Sequence, residues 1–423
     1  MKTTRAMQGL AAGVSAIALM SIATPASAQS EVEELRREMR QMQQRIDQLE
    51  GNVQETRDAV EATSGAPSIK PEKDVRLTIA GRVNQAFLYA EQADQDQAFV
   101  VDNDGSGSRF EFLGEADLGA WTTGTKIVVS AEVNSTDEIK FDNLSSGNAD
   151  AGDFRKVNWF IEHGQFGYFS IGRGDTAAED VTHVDLSGTS MAGAGSDVDD
   201  MAGGLEFVSE QGNQLTEVDD FFDAQDGGRA SRVFYETPSL AGFSLMGSLK
   251  NNDAEDGISP AVGFNYGAEI SSFEVEAAGA WRTEERGGGA DDDFFTGSAS
   301  VLTPFGLNVT IAGSTADLES STADDPNMIF GKLGYKADLF AVGGSAFSVD
   351  IYRGHNADGF AAPDGDLPEA TSYGVSFVQD IDTLATELFV TARQYDVDDV
   401  YIGANEQDVD EMTAVMSGAR VRF

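Results

Sequence analysis

The sequence contains no cysteine and has few histidines and basic residues. Zero Cys among 423 residues excludes disulfides, thiol nucleophiles, thiolate zinc sites and iron–sulfur clusters. Three His leave little room for a multi-histidine metal centre. Lys and Arg number 28 against 72 Asp and Glu, so the formal net charge is −44. Because such an acidic surface repels phosphate backbones, we expect no nucleic-acid partner.

Long apolar runs are also scarce. Lys2 and Arg5 precede an apolar run over residues 9–23, which is short for a membrane-spanning helix and is followed by Pro25-Ala-Ser-Ala28. This order predicts a secretory signal peptide at residues 1–28, cleaved after Ala28, with an N-terminal membrane anchor as the alternative. No later segment has the roughly 18 consecutive apolar residues that a transmembrane helix needs. An exported chain of this kind belongs in the periplasm, in the medium, or in an outer membrane crossed by β-strands.

Residues 29–63 carry a heptad pattern. Apolar side chains recur at alternating spacings of three and four, at Val32, Leu35, Met39, Met42, Ile46, Leu49 and Val53. This narrow seam predicts a short α-helical coiled coil, a stalk, whereas a single amphipathic helix packed on a domain is the alternative. Gly65, Pro67 and Pro71 interrupt the helical pattern, so residues 64–74 are predicted to be a linker.

From residue 75 to residue 423 apolar and polar residues alternate. A period of two is typical of β-strands with one apolar and one polar face, either in a soluble sheet or in a membrane barrel with a wet lumen. We predict sixteen strands, near residues 76–89, 109–118, 125–134, 155–163, 166–173, 230–237, 242–250, 259–269, 272–283, 293–302, 306–314, 327–337, 344–353, 371–380, 385–395 and 411–423.

The lengths of the connectors favour the membrane barrel. Short connectors, such as residues 164–165 and 270–271, alternate with longer acidic ones, such as residues 91–108 and 136–154. Short turns at one end and long loops at the other are typical of outer-membrane barrels, which also have an even number of strands. The predicted fold is therefore all-β: a 16-stranded antiparallel transmembrane β-barrel at residues 75–423, preceded by a short coiled coil.

Four stretches of the barrel region resemble the trimeric general porins of Gram-negative bacteria. They are residues 77–82 (LTIAGR), 108–115 (SRFEFLGE), 166–175 (FGYFSIGRGD) and 229–244 (RASRVFYETPSLAGFS). The terminal Phe423 is similar to the C-terminal signal of such barrels. The resemblance implies a homotrimer in the outer membrane, in contact with lipid and lipopolysaccharide, and the stalk resembles that of a subset with a periplasmic coiled coil. Through this stalk the chain could also contact peptidoglycan.

A long segment at residues 175–228 contains no Lys or Arg. It carries fourteen acidic residues, among them Asp185, Asp197, Asp199 and Asp200. Its length is unusual for an idle loop, and the resemblance implies that it folds into the lumen and narrows it. An external acidic loop is the alternative. We expect no resident cofactor, although Asp197, Asp199 and Asp200 could bind Ca²⁺ weakly.

Charged residues on the polar faces of the strands are candidates for the pore wall. The resemblance implies basic wall residues opposite the long segment, at Arg82, Arg109 and Arg155 or its neighbour Lys156. The next such position departs from the family pattern and is Glu236, with Arg232 two inward positions earlier as the basic candidate. Acidic wall candidates are Glu115, Asp117 and Glu236, and the arginines could simply pair with Glu115 and Asp117. Facing acids and bases create a transverse field that orients dipolar solutes.

These features predict a porin for the passive diffusion of ions and small hydrophilic solutes. The acidic excess favours cations, whereas the wall arginines would favour small anions such as dicarboxylates. A structural tether or adhesin is a further alternative. No G-x-S-x-G motif or phosphate-loop lysine is present, and the three His, His163, His183 and His355, are far apart in sequence. We therefore predict that the chain is not an enzyme, with an outer-membrane protease or lipase as the alternative.

Overall fold

The computed structural model describes residues 75–141, 151–251, 257–286, 290–319, 321 and 323–423. The predicted signal peptide, stalk and linker lie outside these residues. Among the helices described, none has the length and apolar character needed to cross a membrane.

Antiparallel strands form most of the described chain. Their bounds are β1 (Val75–Gln92), β2 (Gln95–Asp102), β3 (Arg109–Leu118), β4 (Trp121–Ser130), β5 (Phe154–His163), β6 (Gly167–Asp175), β7 (Glu206–Val208), β8 (Gln214–Glu217), β9 (Arg229–Glu236), β10 (Phe243–Asn251), β11 (Ile258–Ile270), β12 (Phe273–Arg286), β13 (Ala290–Leu302), β14 (Leu307–Leu318), β15 (Asn327–Phe340), β16 (Gly343–His355), β17 (Glu369–Ile381), β18 (Thr386–Asp398), β19 (Val400–Ile402), β20 (Asn405–Gln407) and β21 (Met412–Arg422). Within the described residues, one short helix, α1 (Val218–Phe221), and five 3-10 turns complete the elements: Asp104–Ser106, Ser190–Ala192, Val198–Met201, Asp358–Phe360 and Asp382–Leu384.

The sheet closes into a 16-stranded antiparallel barrel. Each wall strand pairs with the next one along the chain, and β21 pairs with both β18 and β1. β2 and β3 both pair with β1, on its second and first halves, so together they make one wall strand interrupted at residues 103–108. The predicted fold class of the barrel is therefore confirmed. The prediction that residues 91–108 are one long connector is wrong, because β2 lies within them.

The two faces of the wall have opposite polarity. Along β14, Val309 and Ile311 are exposed, while Asn308 and Thr310 on the other parity are buried. Large exposed apolar side chains recur in this way around the barrel, and the buried parity is rich in Ser, Thr and Asn. In a closed barrel the second set faces inward. An apolar outer face and a polar lumen are the arrangement required in a membrane.

The last residue extends the seam that the β1–β21 ladder closes. Phe423 and Gly81 exchange two backbone hydrogen bonds, of 2.9 and 3.0 Å. The Phe423 ring lies where a side chain on Gly81 would be, since a Cβ there would come within 2.7 Å of the ring. Gly81 therefore permits the close approach of the terminal ring, and the aromatic end of the sequence has a packing role.

The connectors differ at the two ends of the barrel. At one end β11 and β12 are joined by Ser271 and Ser272 alone, both with positive φ, of 52° and 68°. Two such residues form the mirror-image turn whose twist suits a hairpin. At the other end lies the segment between β6 and β9, which contains β7, β8 and α1.

Candidate functional site

Residues 176–228, which we name the inner segment, lie against the inward face of the wall. The backbone N–H groups of Ala177, Val184 and Leu186 donate to the hydroxyls of Ser248, Ser298 and Ser300, at 2.9 to 3.1 Å. These three serines are buried residues of β10 and β13 on the inward parity. Further along, the Thr391 hydroxyl of β18 donates to the carbonyl of Ala192 at 2.7 Å. The polar lumen parity thus satisfies backbone groups that strand pairing would satisfy elsewhere.

The second half of the inner segment has an apolar core. The ring of Phe222 lies 5.1 Å from that of Tyr395 in β18 and 5.4 Å from that of Tyr352 in β16. Phe207 and Phe221 pack edge to face at 5.6 Å. All five rings are fully buried, and each large side chain stabilises the packing by about 2 kcal/mol. The sequence analysis considered only the acids of this segment and missed this core.

Asp185 pairs with a lysine of the wall. Its carboxylate lies 2.5 Å from the ammonium of Lys332 in β15, and the two side chains are 5% and 0% exposed. Ser187 and Thr310 donate further hydrogen bonds to Asp185. Burial alone would raise the pKa of Asp185, but the Lys332 ammonium and the Ser187 donors outweigh it and hold the pKa below its ordinary value.

Asp197 belongs to a second charged group, which brings together three separate stretches of the inner segment, at residues 180–183, 197 and 226. The Nε2 of His183 lies 2.5 Å from Asp197 and 3.6 Å from Asp226, and its Nδ1 lies 3.5 Å from Asp180. Burial opposes protonation of His183, but the surrounding carboxylates dominate and its pKa lies well above the ordinary value. Burial also raises the pKa of Asp226 to about 8.

Asp199 and Asp200 lie in the 3-10 turn Val198–Met201, close to other carboxylates. Burial, and then the charge of Asp197, raise the pKa of both groups well above the ordinary value. Within the described residues, no three or more His, Asp and Glu side chains converge as a group that could hold a metal ion. Weak Ca²⁺ binding at Asp197, Asp199 and Asp200 therefore stays a prediction without geometric support.

Three of the predicted basic residues lie along the wall formed by β1, β3 and β5. Arg82 and Arg109 are directly opposite each other in the ladder between β1 and β3. The Nε of Arg82 donates to the carbonyl of Gly107 at 3.3 Å, and Arg109 lies 3.3 Å from Glu111. Lys126 of β4 contacts the same Glu111 at 3.7 Å. Arg109 and Lys126 thus share one carboxylate beside Arg82, whose contact is a backbone carbonyl, and this arrangement leaves a local positive excess.

Arg155 and Arg232 are more tightly held. Arg155 lies 3.1 Å from Glu132, whose side chain is buried. Arg232 is 7% exposed and donates to the carbonyl of Asp175 at 2.8 Å, with its guanidinium 5.3 Å from the centre of the Phe234 ring. Its contacts fix the end of β6, where the inner segment begins.

The predicted acidic wall residues lie elsewhere. Glu115 and Asp117 are near the short-connector end of β3 and contact Arg76, at 4.0 and 2.6 Å. Both carboxylates therefore contact Arg76, and not the wall arginines with which the alternative paired them. Glu236, at the end of β9, accepts a hydrogen bond from Ser244 at 2.7 Å.

Sequence reasoning missed several charged residues on the inward parity. Arg393 and Asp350 form a pair at 2.8 Å in which both side chains are fully buried, and Arg393 also donates to the carbonyl of Gly193 at 3.4 Å. Arg420 of β21 pairs with Glu387 and donates to Ser106 at 2.7 Å. The only sequence signal for these charged residues was their position on the inward-facing parity of the strands. Their partners lie too far away in sequence for that signal to identify them.

An open cavity of about 1240 Å³ lies toward the short-connector end. Most of its charged lining is acidic, from β11, β12, β15, β17 and β18: Glu269, Glu274, Glu276, Asp338, Asp380 and Glu387, with Lys336 as the cation among them. The lumen therefore contains an acidic region apart from the basic wall of β1, β3 and β4.

Comparison with known proteins identifies the family. A family model described as Gram-negative porin matches residues 14–400, and the chain belongs to this family. The sequence has no significant match among curated proteins. Its fold is similar to several solved structures, and at identities below 25% these similarities concern the fold alone.

Three of these structures illustrate the similarity. The anion-selective porin from Comamonas acidovorans is 18% identical with a TM-score of 0.57, covering 83% of this chain and 100% of that one. The trimer form of OmpT from Vibrio cholerae is 13% identical with a TM-score of 0.52, covering 82% and 99%. The high-pH structure of OprB from Pseudomonas putida is 10% identical with a TM-score of 0.54, covering 85% and 97%.

The family and the barrel together make the chain an outer-membrane channel protein. Both are consistent with a protein that is not an enzyme. The predicted coiled-coil stalk concerns residues 29–63, outside the described part of the chain, and stays a prediction.

Proposed function

We propose that this porin is a passive diffusion channel for ions and small hydrophilic solutes, narrowed by the inner segment. The observation that carries the proposal is the series of hydrogen bonds between this segment and inward-facing hydroxyls of β10, β13 and β18. A 16-stranded barrel leaves an aqueous lumen unless something narrows it. A segment fixed inside that lumen limits the size of the solutes that can pass.

The lumen charges support two ion preferences. The acidic cavity at the short-connector end, together with the net charge of −44, supports the predicted preference for cations. The second candidate is a channel for small anions such as dicarboxylates. It is favoured by the group of Arg82, Arg109 and Lys126, in which Arg109 and Lys126 share Glu111 and whose several donors could bind a carboxylate.

We also propose a homotrimer in contact with outer-membrane lipid and lipopolysaccharide. The trimer form of OmpT, which shares the fold, supports this oligomeric state. The predicted stalk would reinforce the trimer in the periplasm and could contact peptidoglycan. A mass measurement on the detergent-solubilised protein tests this part, since a particle of monomer mass would contradict it.

Planar-bilayer recording of the purified protein tests the channel itself. We expect stepwise conductance, in multiples of three for a trimer, and a reversal potential in a KCl gradient that favours cations. A clear anion preference would instead support the second candidate. A barrel that inserts but carries no current would contradict both and leave a tether or adhesin.

A further inference from the structure

Lys332 binds two separate points of the inner segment. Its ammonium lies 2.5 Å from the carboxylate of Asp185 and donates a second hydrogen bond to the carbonyl of Ala194. The Lys332 side chain is fully buried. One wall residue thus holds both ends of residues 185–194, which we name the inner turn.

Between these two ends the inner turn contacts other strands. The Thr189 hydroxyl lies 2.7 Å from that of Ser348 in β16, and both residues are buried. Met191, by contrast, is 43% exposed. The inner turn therefore has a side fixed to the wall and a side that presents an apolar residue to the open lumen.

Stability alone is a poor explanation for the pair of Lys332 and Asp185. Removing two charges from water costs several kcal/mol per ion, and apolar residues of similar volume are often as stabilising as a buried ion pair. The best-attested role of such buried polar groups is to fix one arrangement against its alternatives. Here the alternatives are other positions of the inner turn. Lys336, the next cation along β15, lies four residues further and is beside Gly188, not Asp185.

We propose that Lys332 is a positioning residue that fixes the inner turn against β15 and thereby sets the width of the passage. The inference rests on the proposed channel function. Without Lys332, Asp185 would retain a buried negative charge with its lysine partner gone and would leave the wall to reach water. The inner turn would then move into the lumen and obstruct it.

Single-channel recording of K332M tests this directly. We expect the mean conductance to fall about twofold and the open-channel noise to rise, because a turn released from the wall enters the passage. The matched control is K250M. Lys250 pairs with Glu284 at 2.6 Å between β10 and β12, so this variant also removes one paired inward-facing lysine but breaks a contact within the wall. Equal conductance and noise in the two variants would overturn the proposal.

A rescue experiment separates position from charge. Since the chain has no Cys, the double substitution T189C/S348C introduces a single pair of thiols at a site where the native hydroxyl oxygens are 2.7 Å apart. A disulfide has a sulfur–sulfur distance of about 2.05 Å, so a small adjustment allows the bond. In the K332M background we expect oxidation to restore the conductance and reduction to abolish the rescue. A bonded pair that restores nothing would contradict a positional role.

The rate of disulfide formation gives a readout that needs no current. With Lys332 present, the T189C/S348C pair should oxidise quickly. With K332M it should oxidise about tenfold more slowly, because the thiols meet less often. Equal rates would overturn the inference even in a barrel that carries no current, whereas absent current in the native protein would contradict only the channel function. Far-UV circular dichroism and resistance to unfolding in detergent verify that each variant still forms the barrel.

Discussion

Comparison of the inner segment with the wall of β1, β3 and β4 shows that the number of charged residues in a sequence is a poor guide to the charge that acts in the lumen. The segment has fourteen acids in the stretch 175–228 without Lys or Arg, yet Asp185 pairs with Lys332, Asp197 faces His183, and burial raises the pKa of Asp199 and Asp200. The wall has only a few bases, but Arg109 and Lys126 share a single carboxylate, Glu111, and Arg82 lies opposite Arg109.

The difference lies in the partners and not in the number of charges. A buried carboxylate that is paired or protonated contributes little field beyond its partner. A group of cations with fewer anions nearby does produce an electric field, and this field acts over short distances, at which salt screens it least. We therefore infer that the basic wall, more than the acidic segment, determines the field in the narrow part of the pore, and that the expected cation preference depends on the acidic cavity at the short-connector end.

The largest effect is expected from the apolar core that holds the segment. Phe222→Ala removes the ring between Tyr352 and Tyr395 and should weaken docking of the segment by about 3–5 kcal/mol. Hydrogen exchange of the amides at 198–224 should accelerate and the open-channel noise should rise. Phe295→Ala, on the exposed outer face of β13, is the control and should leave both unchanged. If the core variant behaved like the control, the segment would be held by its polar contacts alone.

A change in pH should alter how tightly the inner segment docks on the wall. Burial raises the pKa of Glu179 to about 7 and that of Asp226 to about 8. Because a raised carboxyl pKa means that the docked form binds protons more tightly, these groups stabilise docking at low pH and lose that contribution as the pH rises through 7 to 8. His183, with its raised pKa, acts in the same direction.

We therefore expect the channel to become noisier between about pH 5 and pH 9, with its permeability ratio shifting about twofold toward cations. Bilayer recordings in one salt at the two pH values measure this. The double variant E179Q/D226N should flatten the response. A channel that became quieter on going to high pH would contradict the assignment.

The smallest effect should come from Asp199 and Asp200, which belong to the most conspicuous acidic cluster of the sequence. D199N/D200N removes two carboxyls whose ionisation burial opposes, so docking of the segment should strengthen slightly at pH 8. Slower hydrogen exchange in residues 198–205 would show it. Glu210→Gln, at an exposed residue of the same segment outside the His183 group, is the control and should change little. Faster exchange in the double variant would mean that these carboxylates stabilise the segment as charged groups.

The alternation of the sequence was sufficient to predict the barrel, because an apolar outer face against lipid enforces a period of two in every wall strand. It failed at β2 for a physical reason. There Phe99 and Val101 face inward and are buried, so the strand has apolar residues on the parity that is polar elsewhere. Gln95 and Gln97 add to the impression of a loop.

The candidate site was predictable in its parts and not in its pairings. The absence of Lys and Arg from residues 175–228 marked the inner segment, and position on the polar parity identified Arg82 and Arg109. Lys332 looked like any inward-facing residue, because its partner Asp185 is 147 positions away and only the closed barrel brings them together. The core around Phe222 was visible as apolar residues within the acidic stretch, but periodicity gave no partner for it.

The most direct test compares two matched triple variants with the native channel in a KCl gradient. R82Q/R109Q/K126Q removes three cations of the basic wall, and D197N/D199N/D200N removes three segment acids. We expect the first variant to shift the reversal potential strongly toward cation permeation and the second to shift it much less. A larger shift from the segment variant would contradict the claim that the wall bases dominate the field of the pore.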